Sequence, residues 1–250
     1  MATVRLDSVY PVAASDLADD ALSSLYARAD RSETWLRVNF VSSVDGAATV
    51  DGVSGGLGDD ADHRVFDLLR ELCDVVIVGA GTVRAESYGP MRLQQPSADR
   101  RIARGLPPHP VFAIVSRGLD LDPASRIFTD APVRPIIITT DAAPRDRRDR
   151  LAAVADIVIA GVDELDPVAM TVALAERGLT QQHCEGGPSL FGTLIAAGVV
   201  DELCLTMSPQ LVAGDAKRIA AGELAHPSEL ILGHVLVSGN TLLLRYEVAR

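Results

Sequence analysis

The stretch Glu185–Ser189, which reads Glu-Gly-Gly-Pro-Ser, has the residue types of a turn that binds phosphate. It lies between a predicted short strand, Gln181–Cys184, and a helical pattern over Leu190–Ala197. Two adjacent glycines leave the backbone bare, and the start of a helix offers unpaired N–H groups and a partial positive charge. The turn therefore indicates an anionic ligand, although it is also typical of a plain connection. Glu185 either caps the helix or accepts N–H donors from a substrate ring.

A second strand that ends in glycines strengthens this interpretation. The apolar run Val75–Val78 is followed by Gly79-Ala80-Gly81-Thr82, and Val83–Glu86 is compatible with the start of a helix. Two such turns predict a ligand that lies across the carboxyl ends of a parallel sheet. Thr82 is either an ordinary helix N-cap or part of a glycine-lined floor for a phosphate or ribose. The pattern is not GxGxxG, and Glu86 is not spaced as the ribose-binding acid of that motif.

Polar residues also follow two other predicted strands. Ser116 and Arg117 follow Val111–Val115, where a hydroxyl and a guanidinium suit the 2′-phosphate that distinguishes NADP from NAD. The residues alone favour a solvated arginine there. Small residues in Ser43–Thr49 let a flat ring approach the backbone, and Asp45 could bond a polar heterocycle. The Asp-Gly pair by itself favours a simple turn.

The cysteines and histidines argue against several other chemistries. Cys73, Cys184 and Cys204 are far apart with no CxxC pair, which disfavours a disulfide framework and a zinc site. His183 and Cys184 are interpreted as packing residues, and no metal site is predicted. The chain has neither a GxSxG nucleophile elbow nor a GxxxxGK[ST] phosphate loop.

Composition limits the class of protein. The chain has 250 residues, 48% of them hydrophobic, which is enough for one large α/β domain. A formal net charge of −11 disfavours a nucleic-acid partner, because phosphate backbones require a basic face. No run approaches the roughly 18 apolar residues of a membrane helix, and Met1–Leu6 lacks an apolar signal core. We therefore predict a cytoplasmic protein without a membrane partner.

The order of elements predicts an alternating β/α array. Residues 1–34 form a lead-in to a single domain, and the polar stretch Pro90–Pro110 is predicted to be a surface loop. The last strands lack intervening helices, so we expect an antiparallel hairpin through Ser238–Asn240. Further predicted helices are Leu17–Ala29, Asp62–Cys73, Arg145–Val154 and Pro167–Arg177, and further strands are Trp35–Val41, Pro135–Thr140, Ile157–Ala160, Glu202–Ser208, Val235–Val237 and Thr241–Val248.

Taken together, four motifs resemble those of the pyrimidine reductases of riboflavin biosynthesis, the reductase half of the bifunctional deaminase-reductase. They are Ser43-Val44-Asp45-Gly46, the run from Gly79 to Glu86, the run from Glu185 to Leu190, and Val200-Asp201-Glu202-Leu203. The resemblance covers residues 35–250 and points to stand-alone actinobacterial members. It implies a dihydrofolate-reductase-like fold with a mostly parallel sheet flanked by helices, NADPH as hydride donor, a small heterocyclic substrate, and a homodimer.

The resemblance also assigns roles to residues. It implies that Asp45 and Glu185 are catalytic and that Asn39, Ser43, Thr49 and Arg92 contact the substrate. The implied cofactor-binding residues are Gly79, Gly81, Thr82, Glu86, Ser116, Arg117, Gly186, Gly187, Pro188 and Ser189.

Departures from the family pattern leave the substrate open. Asn39 stands where the family usually has a lysine that would serve a phosphosugar, and Arg92 follows an altered sequence. The zinc signature of the deaminase half is absent from the sequence. The first hypothesis is a reductase that transfers hydride to the ribose C1′ of 5-amino-6-(5-phosphoribosylamino)uracil. The alternatives are a same-fold reductase of another heterocycle such as dihydrofolate, and a non-catalytic NADP-binding regulatory protein.

Overall fold

Residues 4–249 are described by the computed structural model, so Met1–Thr3 of the predicted lead-in and Arg250 lie outside the described residues. The strands are β1 (Asp7–Tyr10), β2 (Trp35–Ser43), β3 (Val75–Gly79), β4 (Val111–Val115), β5 (Ile136–Thr139), β6 (Asp156–Ile159), β7 (Gln181–Cys184), β8 (Glu202–Ser208), β9 (Leu230–Ser238) and β10 (Thr241–Val248). The helices are α1 (Asp19–Tyr26), α2 (Asp60–Leu72), α3 (Ala80–Ala85), α4 (Gln95–Ala103), α5 (Arg126–Thr129), α6 (Arg145–Ala152), α7 (Pro167–Ala175) and α8 (Pro188–Ala196).

All ten strands of the described chain form one sheet in the order β1-β9-β10-β8-β2-β7-β3-β4-β5-β6. The seven strands from β8 to β6 in this order pair in parallel, whereas β10, β9 and β1 are antiparallel to their neighbours. This confirms the predicted mostly parallel sheet with antiparallel C-terminal strands. β1, which the sequence analysis did not predict, lies within the predicted lead-in and pairs with β9.

Hydrophobic residues alternate between the two faces of the sheet. Along β3, Val75 and Ile77 pack in one cluster with α7 and α8, and Val76 and Val78 pack in another with α3, α5 and α6. Burial of both faces explains why β3 is a continuous apolar run rather than an alternating one. No helix within residues 4–249 is long and apolar enough to cross a membrane.

The central strand β7 is polar yet buried, and hydrogen bonds from its two glutamines offset part of the cost of burial. Gln181 donates from Nε2 to the carbonyl of Glu33 at 3.0 Å, and Gln182 donates from Nε2 to the carbonyl of Thr171 at 2.9 Å. A buried amide that is hydrogen-bonded avoids most of its desolvation cost. These glutamines therefore join β7 to the segments that flank the sheet.

The prediction that Pro90–Pro110 is a loop is wrong, because α4 occupies residues 95–103. A proline in the first turn is compatible with a helix start, and Ala98 and Arg101 face inward. Arg101 is 1% exposed and donates to the carbonyls of Glu71 at 2.8 Å, Cys73 at 2.5 Å and Pro107 at 2.7 Å. The buried guanidinium thus satisfies carbonyls at the C-terminal end of α2.

This contact predicts the stability of two variants of α4. Arg101→Met retains the length of the side chain but leaves buried carbonyls without donors, so we expect a loss of about 3 kcal/mol in the free energy of unfolding. Ile102→Ala on the exposed side of the same helix should change it by less than about 0.5 kcal/mol. Urea unfolding of both variants measures the difference, and equal effects would contradict the assignment.

Candidate active site

A cleft of about 1260 Å³ opens at the carboxyl ends of the parallel strands. The glycine-ended turns of β3 and β7 lie side by side in it, since the Gly79 N–H donates to the Gly186 carbonyl at 3.0 Å. One residue earlier in the turn after β7, the Glu185 N–H donates to the Ile77 carbonyl at 3.0 Å. Two motifs about 100 residues apart in sequence therefore form one surface, as the sequence predicted.

The Gly-Gly turn is built for close approach to the backbone. Gly186 and Gly187 have φ angles of +115° and +84°, a region that L side chains rarely adopt. A Cβ at Gly186 would lie 3.3 Å from the Phe40 ring, and one at Gly187 would lie 3.1 Å from Thr82 Oγ1. Helix α8 begins at Pro188 directly after this turn. Its first N–H groups therefore lie at the edge of the cleft.

Two other predicted cofactor residues lie in the cleft with defined surroundings. Thr82 lies within the first turn of α3, which begins at Ala80 with Gly79 as N-cap, so of the two alternatives for Thr82 the helix N-cap is wrong. Glu86 accepts the Ser54 N–H at Oε1 over 2.7 Å. This bond connects the end of α3 to the loop between β2 and α2, and both segments line the cleft.

The floor of the cleft contains a buried carboxylate, Glu185. Its side chain is completely inaccessible and accepts two hydrogen bonds from Arg70, from Nε at 2.5 Å and from Nη2 at 2.7 Å. Tyr88 donates its hydroxyl to Glu185 Oε2 at 3.0 Å, and His183 Nε2 lies 3.6 Å from Oε1. The guanidinium of Arg70 in turn lies over the Phe66 ring at 4.2 Å from its centroid.

These contacts set the charge state of the floor. Burial alone would raise the pKa of Glu185, but the Arg70 guanidinium outweighs it and lowers that pKa below its usual value. Burial lowers the pKa of His183 to about 4, so the ring is neutral near pH 7. Burial, followed by the Glu185 charge, raises the pKa of Tyr88. At neutral pH the floor therefore holds one ion pair and two neutral polar groups.

Ser116 and Arg117 line the end of the cleft beyond β3. Ser116 is buried and its Oγ accepts the Leu119 N–H at 3.0 Å. Arg117 is exposed and donates from Nη1 to both carboxylate oxygens of Glu164 at 2.6 Å, and Glu164 also lines the cleft. A surface ion pair of this kind contributes little to stability, so Arg117 can exchange its partner for another anion at small cost.

The four residues predicted to contact substrate, and Asp45, which was predicted to be catalytic, do not all lie in the cleft. Asn39 and Thr49 line the cleft, whereas Ser43, Asp45 and Arg92 lie outside its lining. Asp45 accepts the Ser43 hydroxyl and the N–H groups of Val212 and Ala213. Arg92 is exposed and donates to the Asp130 carbonyl at 3.1 Å.

Sequence reasoning missed the residues of α2 that face the cleft. Asp62, Phe66 and Arg70 follow one another at intervals of four and all line it. This spacing places them on one face of a helix, and a polar residue on each side of Phe66 was the available signal. Tyr88 and Lys217 also line the cleft and were not singled out. Within residues 4–249, no group of three or more His, Cys, Asp or Glu side chains could hold a metal ion.

Comparison with known proteins assigns the family. The family model described as RibD C-terminal domain matches residues 34–244. A 2,5-diamino-6-ribosylamino-4(3H)-pyrimidinone 5′-phosphate reductase of Methanothermobacter thermautotrophicus is 30% identical over 218 residues, which cover 84% of this chain and 96% of that protein. A protein of the same name from Aquifex aeolicus is 28% identical and covers 82% of this chain and 92% of its own length.

A solved structure gives the same assignment. A pyrimidine reductase-like protein of Corynebacterium diphtheriae superposes with a TM-score of 0.83 at 28% identity, over 92% of this chain and 98% of its own. The chain belongs to the RibD C-terminal domain family. The predicted membership of the pyrimidine reductases of riboflavin biosynthesis is confirmed, and the solved structure shares the predicted mixed α/β fold. A reductase of this family implies a nicotinamide cofactor.

The ion pair in the floor predicts an unusual pH dependence. In the protein as it stands, the lowered pKa of Glu185 means that its contribution to stability is present above about pH 4.5 and is lost as the pH falls. In Arg70→Met the carboxyl group stays buried without its cation, so its pKa in the folded state rises above the unfolded value. The variant's stability is then greatest below about pH 4.5 and decreases as the pH rises.

Urea unfolding between about pH 5 and pH 8 measures this effect. In the wild type, we expect Glu185 to cause no change in the free energy of unfolding over this range. In Arg70→Met the free energy of unfolding should decrease as the pH rises, and near pH 8 it should be about 3–5 kcal/mol below that of the wild type. Adding Glu185→Gln should remove the slope in the double variant. A pH-independent Arg70→Met variant would contradict the assigned ion pair.

Proposed function

We propose that this protein is an NADPH-dependent reductase that reduces the ribose C1′ of a phosphoribosylaminopyrimidine to the ribityl product. The observation that carries the proposal is the pair of glycine turns joined by the Gly79–Gly186 hydrogen bond, at the carboxyl ends of two parallel strands. Such a position is where dinucleotides bind in α/β sheets. A bound NADPH would supply a hydride, and this chain needs no nucleophile for the reaction.

The residues of the cleft fit a dinucleotide. In the proposal, the bare backbone of Gly186 and Gly187 and the start of α8 bind the pyrophosphate, together with Thr82. Ser116 and Arg117 follow β4. There the adenosine 2′-phosphate would replace Glu164 as the partner of the Arg117 guanidinium. Gly79, Gly81, Glu86, Pro188 and Ser189 complete the proposed cofactor site.

The remaining part of the cleft, toward β2, is proposed to bind the pyrimidine. Asn39 and Thr49 line this part and offer an amide and a hydroxyl to the substrate. The Glu185 side chain is inaccessible and its charge is fixed by Arg70, so its proposed role is to hold the floor and the Gly-Gly turn in place rather than to contact the substrate or accept a proton. The protein then contributes to catalysis by positioning the reactants and excluding water.

The substrate class follows from the relatives. Proteins similar to this chain are named reductases of 2,5-diamino-6-ribosylamino-4(3H)-pyrimidinone 5′-phosphate, or RibD. A solved structure from Thermotoga maritima is named as a deaminase and 5-amino-6-(5-phosphoribosylamino)uracil reductase, and the two pyrimidines differ in the group at one ring position. We propose the uracil compound as the substrate of this chain and treat the diamino compound as an outcome of the test.

A homodimer, implied by the family resemblance, is also proposed. Its support is β1 at the edge of the sheet, where Val9, Tyr10 and the nearby Val12 are exposed. Exposed apolar residues that lie together favour a protein partner.

Turnover tests the function directly. We expect purified protein to oxidise NADPH with 5-amino-6-(5-phosphoribosylamino)uracil, much faster than NADH, because Arg117 favours a 2′-phosphate. The assay follows nicotinamide absorbance and runs the diaminopyrimidinone phosphate and dihydrofolate in parallel. Turnover of the diamino compound alone would correct the substrate. Oxidation with dihydrofolate alone would overturn the proposed function, and preference for NADH would overturn the cofactor assignment.

The Gly-Gly turn provides a test of cofactor binding that does not need turnover. Gly187→Val places a branched side chain at a φ of +84° and against Thr82, so we expect NADPH affinity to fall about 100-fold, or roughly 3 kcal/mol. Gly239→Val at a φ of +56° in the β9–β10 hairpin is the matched control, with strain but no place in the cleft. Calorimetric titration with NADPH measures both, and normal binding by Gly187→Val would remove this turn from the site.

A further inference from the structure

The segment of residues 209–222 follows β8 in the chain and is here called the strap. Its far end lies in space against the start of α8. Near β2, the Gln210 carbonyl accepts the Val44 N–H at 3.0 Å, and the Lys217 carbonyl accepts the Ala48 N–H at 2.8 Å. At its far end, the Ala221 N–H donates to the Pro188 carbonyl at 2.9 Å. The strap is thus attached on both sides of the part of the cleft that adjoins β2.

Asp45 fixes the bend in the strap. Its carboxylate accepts the N–H groups of Val212 at 3.1 Å and Ala213 at 2.7 Å, and it also accepts the Ser43 hydroxyl. The Ser43 hydroxyl and these backbone N–H groups lower the pKa of Asp45 to about 2, so the carboxylate is ionised at any working pH. Ala213 and Gly214 both have positive φ angles in the bend that follows. This bend directs residues 215–217 back to the cleft, which all three line.

Lys217 is the single lysine of the 250-residue sequence. It is exposed, it lines the cleft, and its carbonyl is bonded to the loop that follows β2. Among residues 4–249 its ammonium group forms no ion pair. A cation without a carboxylate partner, in a protein of net charge −11, is available to an anionic ligand.

The arginines of the cleft are already engaged. Arg70 is bidentate with Glu185, Arg117 is paired with Glu164, and Arg84 donates to the Asp120 carbonyl at 3.1 Å. Arg84 and Arg117 also lie toward β3 and β4, in the part assigned to the cofactor. An anionic group on a substrate that lies toward β2 therefore meets Lys217, a cleft-lining cation that forms no ion pair with any described residue.

We propose that Lys217 binds the phosphate monoester of the substrate and that Asp45 is the positioning residue that holds the strap carrying it. The inference rests on the proposed function for the identity of the substrate. It gives the phosphate a cation, which Asn39, at the position of the usual family lysine, does not provide. Asp45 acts through the backbone of Val212 and Ala213, so it influences how well the substrate binds and leaves the chemical step unchanged.

Removal of the ammonium group tests the proposal by kinetics. With the phosphoribosylaminouracil, Lys217→Gln should raise KM roughly 10- to 100-fold at nearly unchanged kcat, and Lys217→Arg should restore most of the loss. With the same pyrimidine lacking its phosphate, wild type and Lys217→Gln should have equal KM. Asp45→Ala should raise KM by a smaller factor than Lys217→Gln does. Asp45→Asn should raise KM less than Asp45→Ala does.

Arg218→Gln is the matched control, because it removes the same charge from the next residue of the strap, which does not line the cleft. We expect this variant to have wild-type KM values. NADPH affinity should be unchanged in all variants of Lys217 and Arg218. Equal losses with the phosphorylated and dephosphorylated substrates, or an equal loss in Arg218→Gln, would overturn the assignment.

A direct binding measurement separates this inference from the proposed function. Protein saturated with NADP is titrated with ribose 5-phosphate by calorimetry, and we expect binding by wild type that weakens with salt and is lost in Lys217→Gln. Binding of this kind in a protein that does not turn over the pyrimidine would remove the proposed function and leave the phosphate site. Failure of the wild type to bind ribose 5-phosphate, or equal binding by Lys217→Gln, would remove the phosphate site whatever the turnover.

Discussion

The cleft depends on the ion pair between Arg70 and the buried carboxylate of Glu185. A carboxylate without solvent contact needs a cation and further donors, and here they come from separate elements, Arg70 on α2 and Tyr88 after α3. The pair therefore fixes the distance of α2 from the end of β7 and determines the width of the floor between them. Arg70 is itself held by the Phe66 ring, so the floor is rigid on the side of α2 as well.

The same carboxylate explains how the Gly-Gly turn keeps its conformation. Glu185 is anchored by its side chain to Arg70 and by its N–H to the Ile77 carbonyl. The two residues that follow adopt positive φ angles, which a flexible glycine pair would lose without a fixed start. The bond from Gly79 to Gly186 fixes the second side. Thus the bare backbone surface is held from two strands, although its own residues have no side chains to pack.

The sequence predicted the features that depend on local patterns. Strands β7, β8 and β10 match the prediction at both ends, because turn residues lie next to each of these runs. The prediction failed where tertiary contacts decide: α4 is held by buried Arg101, and its polar sequence resembles a loop. Arg70 and Lys217 also escaped prediction, since their place in the cleft follows from the packing of α2 and the path of the strap. Among the candidate residues, the motifs located the glycine turns, whereas the role of Asp45 in the strap requires the fold.

The two ion pairs of the cleft differ in what a ligand can do with them. Arg117 and Glu164 are both largely exposed, so breaking their pair costs little and each charge returns to water. Glu185 is inaccessible, and a ligand that took Arg70 from it would leave a buried charge uncompensated, at a cost of about 3–5 kcal/mol. An incoming anion will therefore exchange with Glu164 at Arg117 and leave Arg70 paired. Burial thus leaves one arginine able to exchange its partner, as the proposed cofactor site requires, and makes the other a permanent part of the floor, although both line the same cleft.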